Sequence, residues 1–546
     1  MPRFSPMRPS DAFPARFRHA SLRAGLLLAL SLAAGCGGGG GGSTSSSLVS
    51  GTGPLIAQPN TDTLSLNIPT GQSAAAWSVV NATKALAQKP WTFLVYLNGA
   101  NDLGLGVGDF DLLNVHQMEQ VGSSSSVNIV VQWEAQSGDD LYGDRSNAAW
   151  SGTRRYYITQ NASDTSANIS SLLISSNSTV DMGDWQALHD FVQWGVQAFP
   201  AQHYCLVIWD HGAGWRAATL KSATSRAMGT RLAASRSAVP TSRGVSFNYF
   251  TGSVISTDQL PEAINIGNLS GQRFDIVSFD ASLMQMAEVA YELSNPGLAA
   301  PTSYVAPAYI QGSEESPPGS GLPYNTLLQD LANNPSQSAL AFASDICDET
   351  LHAYGTASDS TQSVIDTSKM AALITALNGL GSALTNAQTT WGPQIAMAQN
   401  NAEAYALGDG EEAGADYWYW DYHDLVDFVT LLSNSSNAAT FVNDPGVLSA
   451  CQSVKTAAVG NAIAYNRHGS SHANSNGLTI WIPSPTDFTL AENEQAGIAT
   501  GHPSGPSDQL YTGLSIATAA PSWLTFLNSG PSTYTPYNYP SSYGSQ

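Results

Sequence analysis

Residues 274–293, FDIVSFDASLMQMAEVAYEL, decide the fold because a strand pattern leads directly into a helix pattern. Residues 274–279 form a short apolar run rich in β-branched and aromatic side chains, which is typical of a buried strand. From Leu283 onward, apolar residues recur at the spacing of one helix face. Ser282 stands between the two patterns and has two interpretations, a helix N-cap or a nucleophile at a strand end. This stretch alone leaves both open.

A second strand end supplies a partner for Ser282. Residues 204–215 read YCLVIWDHGAGW, so a buried-strand run ends in His211 and a glycine-rich turn. The glycines leave room around the imidazole, and backbone N–H groups such as that of Gly212 become available to an oxyanion. His211 precedes Ser282 by 71 residues, enough for a crossover to a neighbouring parallel strand. A base and a nucleophile on adjacent strand ends form the arrangement of caspase-type proteases.

The motifs WDHGAGW and FDASLMQMAEVAYEL resemble the two catalytic signatures of the clostripain family, caspase-fold cysteine endopeptidases that mostly cleave after Arg or Lys. The stretches WTFLVYLNGANDL and MGDWQALHDFVQW resemble the same family. The resemblance implies an α/β fold with a caspase-like, mostly parallel sheet flanked by helices, and an α/β C-terminal extension. It also implies a protein or peptide substrate, with His211 as the general base.

The chain departs from the family at one position, because Ser282 stands where the family has the nucleophilic Cys. A thiol is readily ionised by a neighbouring His, whereas an alcohol needs a base supported by a third group, and no clear third member is evident. Asp210 adjoins His211, but neighbouring side chains on an extended segment point apart. Three hypotheses follow: a Ser-based peptidase, an inactive homologue serving as a binding or scaffold lipoprotein, and an unrelated surface protein with chance motifs.

Three acidic residues are candidates for binding a basic substrate side chain through charge-assisted hydrogen bonds. Asp280 lies two residues before Ser282 and is the firmest of them. Glu314 and Glu315 belong to an acidic, Pro- and Gly-rich stretch that resembles a loop near the family's substrate pocket. For these two glutamates, a solvated loop remains an equal alternative.

Composition narrows the class of protein. The net charge of −22 argues against nucleic acid as a partner and would suit basic substrates. The histidines show no metal-ligand spacing such as HExxH, so neither a metal site nor another cofactor is predicted, although the resemblance leaves calcium open. Beyond Cys36 the chain has Cys205, Cys347 and Cys451, an odd number that implies no disulfide framework.

The N-terminus reads as an export signal. Five arginines precede a short apolar run that ends in LAAGC, which resembles a bacterial lipobox with Cys36 as the acylated residue. A Gly/Ser-rich tether follows. We therefore expect a lipid-anchored protein of the bacterial cell envelope, on the outer membrane or cell surface. Along the chain we expect a signal peptide (1–36), a tether and N-terminal segment (37–88), a clostripain-like catalytic domain (89–360), the C-terminal part of the clostripain-like region (361–528) and a disordered tail (529–546).

Residues 216–243, between the two signatures, hold six basic residues and no acidic one. A solvated basic loop is the simple interpretation. In the clostripain family, autocleavage after a basic residue occurs in this interval, so the loop is also a candidate processing segment.

Further elements are expected along the chain. Strands are predicted at 91–97, 127–133, 303–309 and 477–483, with an edge strand at 154–159, and helices at 184–199, 340–354, 367–384 and 422–432. Strands that alternate with helices predict a parallel sheet covered on both faces.

Acylation at Cys36 is directly testable. Replacing Cys36 with Ala should release the protein from the membrane fraction or leave the signal peptide uncut, because the lipid is attached to this thiol. Fractionation and mass spectrometry of the mature N-terminus would measure this. A wild-type protein that is fully soluble and carries no lipid would contradict the prediction.

Overall fold

A computed structural model describes residues 88–105, 109–135, 150–161, 169–215, 244–295, 301, 303–315, 320–405, 421–485, 488–489 and 510–531. The expected signal peptide with Cys36, nearly all of the tether and N-terminal segment, the basic segment 216–243 and most of the tail lie outside these residues.

The central element is a sheet of nine strands in the order β10-β8-β7-β6-β5-β1-β2-β3-β4. The strands of the chain are β1 (Lys89–Asn98), β2 (Val127–Ala135), β3 (Gly152–Tyr157), β4 (Leu172–Asn177), β5 (Ala201–Trp209), β6 (Ile276–Asp280), β7 (Tyr309–Gly312), β8 (Thr361–Asp366), β9 (Tyr422–Asp424), β10 (Ile463–His468) and β11 (Thr479–Trp481). Strands β9 and β11 form a separate antiparallel pair.

The five central strands, β2-β1-β5-β6-β7, are parallel, and antiparallel strands flank them on both sides. The chain passes from β1 to β2 on one side and later enters β5 on the other side of β1. The connections that follow β1 and β5 therefore run to opposite sides of the sheet. The carboxyl ends of these two strands mark a topological switch point, the place where open α/β sheets bind their ligands. The predicted caspase-like, mostly parallel sheet flanked by helices is confirmed.

Helices cover both faces of the sheet and form most of the C-terminal part. They are α1 (Asp102–Leu105), α2 (Phe110–Val121), α3 (Trp185–Ala198), α4 (Leu260–Ala263), α5 (Ala287–Ser294), α6 (Tyr324–Asn333), α7 (Ala339–Tyr354), α8 (Met370–Asn401), α9 (Leu425–Ser433), α10 (Pro445–Ala458), α11 (Ser515–Ala519) and α12 (Pro521–Ser529). No helix among the described residues combines the length and the apolar character that a membrane span needs.

Side chains of the central strands alternate between two hydrophobic cores, as the pleat of a strand requires. Along β1, Leu94 and Tyr96 join one core, whereas Phe93 and Val95 join the other. A strand buried on both faces reads as a continuous apolar run, which is why β1, β2 and β5 were predicted close to their observed bounds.

Four predictions need correction. Residues 154–159 do not form an edge strand, because β3 lies between β2 and the true edge strand β4. Strand β4 was not predicted because its exposed Leu172 and Leu173 break the alternation of apolar and polar residues. The strand expected at 303–309 is β7, which begins only at Tyr309. The helix expected at 367–384 extends to Asn401. The helix expected at 422–432 begins as β9, because residues 422–424 pair with β11.

Two buried glutamates of α5 accept hydrogen bonds from the C-terminal part and so connect it to the sheet domain. Glu288 accepts hydrogen bonds from Trp481 N–H at 3.1 Å and Tyr511 O–H at 3.2 Å. Glu292 accepts from the N–H and hydroxyl of Ser515 at 2.9 and 3.0 Å. Burial raises the pKa of each carboxyl group to about 7, since removal from water disfavours the charged form.

The raised pKa of Glu288 predicts a stability that declines with pH. Between its ordinary pKa of about 4.3 and the folded value of about 7, the folded protein holds a proton that the unfolded chain has released. The free energy of unfolding therefore falls as pH rises through this window, by up to ~1.4 kcal/mol per pH unit from this group. Glu288→Gln should flatten the slope measured by urea unfolding at pH 5, 6 and 7.

Glu262→Gln is the matched control, because Glu262 lies on the neighbouring helix α4 with a partly exposed side chain. It should keep the wild-type slope. An unchanged slope in Glu288→Gln would show that this carboxyl group takes up no extra proton on folding.

Candidate functional site: two strand ends and a His–Asp pair

The two sequence motifs meet at one edge of the sheet. Strands β5 and β6 are parallel neighbours, and Trp209 at the end of one lies opposite Asp280 at the end of the other. The N–H of Asp210 donates to the carbonyl oxygen of Asp280 at 3.2 Å. His211 and Ser282 thus leave the sheet in adjacent loops, as the two signatures predicted.

Gly212 marks how closely these loops approach each other. A Cβ atom placed on Gly212 would lie 2.2 Å from the carbonyl oxygen of Ser282, a distance that no side chain tolerates. Gly212 also forms an antiparallel bridge with Val245. The flanking residues make its hydrogen bonds, Ala213 N–H to Gly244 O at 2.9 Å and Ser246 N–H to His211 O at 3.3 Å. In such a bridge the two bridged residues, Gly212 and Val245, direct their own N–H and C=O groups away from each other. The Gly212 N–H therefore points away from Val245.

Ser282 is not a helix cap. Helix α5 begins at Ala287 with Met286 as its N-cap residue, so the helix expected from Leu283 starts four residues later. Leu283 has a φ of 61°, a left-handed conformation that is strained for a bulky residue. The apolar spacing was misleading because Leu283, Met284 and Met286 are buried in the core as loop residues. Ser282 itself is partly exposed at this turn.

A carboxylate contacts the imidazole of His211. Asp102 Oδ1 lies 2.7 Å from His211 Nε2, and the two side chains are 43% and 31% exposed. The partial removal of Asp102 from water would by itself raise its pKa, but the attraction and hydrogen bond of His211 hold the pKa below its usual value. Asp102 follows β1, which pairs with β5, so the switch point of the sheet brings this residue to His211.

The contact between Asp102 and His211 was not predicted from the sequence, although the stretch NGAND was noted after the first strand. The available signal was topological. A base at the end of one strand is contacted by residues at the end of its neighbour, and the neighbour of β5 became known only from the sheet order.

The Asp210 carboxyl group contacts the backbone of His211 and the side chain of Asn101 rather than the imidazole ring. Its Oδ1 accepts from the His211 N–H at 2.5 Å and from Asn101 Nδ2 at 2.6 Å. Burial raises the pKa of Asp210 well above its usual value, although the nearby His211 opposes this. The side chain therefore ties the β5 loop to the segment that carries Asp102.

Asp280 is buried at the end of β6. Its carboxyl group accepts from the Leu322 N–H at 3.1 Å and from the Tyr324 hydroxyl at 2.9 Å. Burial raises the pKa of Asp280 to about 6, against these hydrogen bonds, which favour the charged form. The group is thus mostly ionised at neutral pH.

Glu314 and Glu315 do not lie on a solvated loop, so that alternative is wrong. Both are buried, and their backbone N–H groups donate to Thr361 Oγ1 on β8 at 3.0 Å. The Glu314 carboxyl group accepts from Ser475 Oγ and from the Gly477 N–H. Burial, followed by the charge of Asp424, raises the pKa of Glu314 well above its usual value. A role of either glutamate in substrate binding stays a prediction.

No cysteine in the described residues offers a substitute nucleophile. Cys205, Cys347 and Cys451 are all buried free thiols. Burial raises the pKa of each thiol, that of Cys451 to about 12, so none forms a thiolate readily. Within the same residues, no three His, Cys, Asp or Glu side chains are grouped to hold a metal ion. A calcium requirement remains an expectation from the resemblance alone.

One known structure shares this fold, and the chain is also similar to two others. An inactive zymogen of a protease from Parabacteroides distasonis has 16% identity and a TM-score of 0.51, covering 80% of this chain and 99% of its own. A secreted cysteine protease from Bacteroides thetaiotaomicron, "iotapain", has 16% identity and a TM-score of 0.49, covering 72% and 94%. A secreted cysteine protease from the same organism, in complex with an irreversible peptide inhibitor, has 17% identity and a TM-score of 0.47, covering 79% and 98%.

Among curated proteins no match was found. The model of the Clostripain family matches residues 117–487, which is well over half of the chain and includes both His211 and Ser282. The fold, the two adjacent strand ends and this match agree. The chain belongs to the Clostripain family of peptidases.

Proposed function

We propose that this protein is an endopeptidase that uses Ser282 as its nucleophile, His211 as its general base and Asp102 as the group that orients and supports the imidazole. The observation that carries the proposal is the 2.7 Å contact between Asp102 Oδ1 and His211 Nε2. An alcohol needs such a third group, whereas a thiol does not. The chain thus has what a serine nucleophile requires at the position where its family has cysteine.

From this contact we assign a role to each ring nitrogen of His211. We place the Nε2 proton in the hydrogen bond to Asp102, so that Nδ1 is the nitrogen that exchanges a proton with Ser282. During attack, Ser282 Oγ bonds to the scissile carbonyl carbon and its proton moves to Nδ1. The imidazolium that forms is stabilised by the Asp102 carboxylate, whose pKa is held below its usual value in the folded protein.

The oxyanion of the tetrahedral intermediate needs donors near Ser282. We assign one to the Gly212 N–H, because the bridge to Val245 turns this group outward and the Gly212 backbone lies against Ser282. Collapse of the intermediate passes the proton from Nδ1 to the leaving amine and leaves an acyl group on Ser282. Water activated by the same imidazole then releases the acid.

For the substrate we propose a preference for Arg or Lys. Asp280 is the favoured pocket acid because it lies two residues before Ser282 and, with a pKa of about 6, carries a charge at neutral pH. Glu314 is a weaker candidate because burial raises the pKa of its carboxyl group well above the usual value, and its Oε2 already accepts hydrogen bonds from Ser475 and Gly477. The net charge of −22 would attract basic substrates at longer range.

Two further proposals concern the exported protein. Acylation at Cys36 would place it on the cell envelope, and cleavage after Arg or Lys within residues 216–243 would follow from its own specificity. Mass spectrometry of the chain termini tests the cleavage. An intact segment in a preparation that hydrolyses a basic peptide would contradict autoprocessing.

The proposal predicts that the contribution of Asp102 to kcat depends on whether the nucleophile is a serine or a cysteine. With Ser282, Asp102→Asn should lower kcat on a fluorogenic Lys or Arg peptide by roughly 10²- to 10⁴-fold, because the imidazolium loses its support. In Ser282→Cys, which should be at least as active as the wild type, the same change should cost less than about tenfold. Ser282→Ala and His211→Ala should be inactive.

Asp275→Asn is the matched control. Asp275 Oδ1 lies 3.1 Å from His203 Nδ1, a second His–Asp pair at the opposite end of β5 and β6, and its loss should leave kcat unchanged. An equal loss from Asp102→Asn in the wild-type and Ser282→Cys backgrounds would contradict the triad. A folded Ser282→Cys protein without activity would favour a binding or scaffold role.

A further inference from the structure

His472 lies between two carboxyl groups from distant parts of the chain. Its Nδ1 is 3.0 Å from Glu403 Oε1, in the segment after α8, and its Nε2 is 4.0 Å from Glu315 Oε2, in the segment after β7. The three side chains are largely buried, with 14%, 15% and 6% of their surface exposed. The Tyr405 ring packs against the imidazole, with a ring-centroid distance of 5.4 Å.

The backbone fixes two members of this link independently of their side chains. The Glu403 N–H donates to Asp427 Oδ2 at 2.8 Å. The turn that carries His472 is held against the turn before β8, because the Gly469 N–H donates to Ser360 O at 2.8 Å. The imidazole therefore reaches Glu315 from a firm base in the C-terminal part.

Glu315 belongs to a stretch on which the turn after Ser282 rests. We call residues 313–315 the support segment. The N–H of Gln285, three residues after Ser282, donates to Ser313 O at 3.2 Å. The Glu315 N–H donates to Ser313 Oγ at 3.2 Å, so movement of Glu315 is passed to the residue that holds the turn.

We propose that His472, as an imidazolium, is a positioning residue that binds Glu403 and Glu315 together and so fixes the support segment against the turn that carries Ser282. Loss of its proton as pH rises loosens the support segment. The link is a property of the fold, whereas its effect on catalysis rests on the proposed function, because it assumes that Ser282 is the nucleophile.

The chemistry of the imidazole makes the link depend on charge. A neutral imidazole donates from one nitrogen only, whereas an imidazolium donates from both. A carboxylate oxygen accepts and cannot donate. Only the protonated ring of His472 can therefore offer an N–H to Glu403 and to Glu315 at the same time, and only the protonated ring attracts both charges.

The groups that face His472 favour the imidazolium. Burial alone would lower the pKa of His472, but the hydrogen bond of Glu403 and the charges of Glu315, Glu403 and Asp359 raise it above its usual value. Burial raises the pKa of Tyr405 well above its usual value, so this neighbour stays neutral. The link is therefore complete below the ordinary histidine pKa of about 6.5 and is lost as pH rises through the higher folded value.

Two further acids near the support segment titrate in the same direction. Burial, followed by the charge of Asp424, raises the pKa of Glu314 well above its usual value, and burial raises that of Asp424 to about 7. Both also contact the stretch 475–477, which follows His472. A test of His472 therefore compares variants with the wild type at each pH, because these acids act equally in all of them.

Hydrogen-exchange mass spectrometry of peptides that cover the support segment tests the link. At about pH 6 the wild type should be roughly three- to tenfold more protected than His472→Gln, and the two should converge at about pH 9. At the higher pH, His472→Lys should stay more protected than His472→Gln, because its ammonium group remains charged. These measurements require no activity.

His203→Gln is the matched control, since His203 Nδ1 also lies close to a carboxylate, Asp275 Oδ1 at 3.1 Å, at the opposite end of β5. Its protection of the support segment should equal that of the wild type at both pH values. Equal protection of the wild type and His472→Gln at pH 6, or a ratio that is the same at both pH values, would overturn the proposal.

The effect on catalysis is measured separately. The kcat/KM of His472→Lys on a basic peptide, relative to that of the wild type, should rise between pH 6 and pH 9, and an unchanged ratio would overturn the positioning role. The expected exchange pattern in a protein that hydrolyses no peptide would support the link between His472 and Glu315 while the proposed peptidase function fails.

Discussion

The site depends on the in-register parallel pairing of three strands. Leu97 of β1 lies opposite Trp209 of β5, and Trp209 lies opposite Asp280 of β6. Three loops therefore leave the sheet at the same level and carry Asp102, His211 and Ser282. A slip of one residue in any of these strands would move every side chain into the opposite core, where the packing fits other side chains. Because both faces pack against hydrophobic cores, the register is strongly specified.

Given this register, the proposed peptidase chemistry depends on how the base, His211, is supported. A cysteine site works with a histidine alone, since the thiol ionises easily. In this chain we propose Ser282 as the nucleophile and His211 as the base, and His211 contacts a carboxylate from the end of β1. The two features are physically consistent with each other, because the alcohol requires the support that Asp102 gives. Buried carboxyl groups elsewhere, such as Glu288 and Glu314, instead join the C-terminal part to the sheet.

Much of the fold was predictable because parallel strands buried on both faces leave long apolar runs. That His211 and Ser282 follow adjacent strand ends was predictable for the same reason, as both follow such runs. The start of α5 was not, because Leu283 and Met286 are buried in a loop at a spacing that mimics a helix face. The contact of Asp102 with His211 was missed because it depends on which strand neighbours β5. The burial of Glu314 was hidden because its partners, Ser475 and Gly477, lie about 160 residues away.

Covalent labelling of the nucleophile tests the central claim, that Ser282 is an activated serine. A peptidyl diphenyl phosphonate with Lys at the reactive position forms a bond from a serine oxygen to phosphorus and releases phenol, and the adduct can be located by peptide mass spectrometry. We predict an adduct on the peptide that carries Ser282, formed far more slowly in Asp102→Asn because the base loses its support. Wild-type protein that is folded yet carries no adduct on Ser282, or carries it on another residue, would contradict the claim.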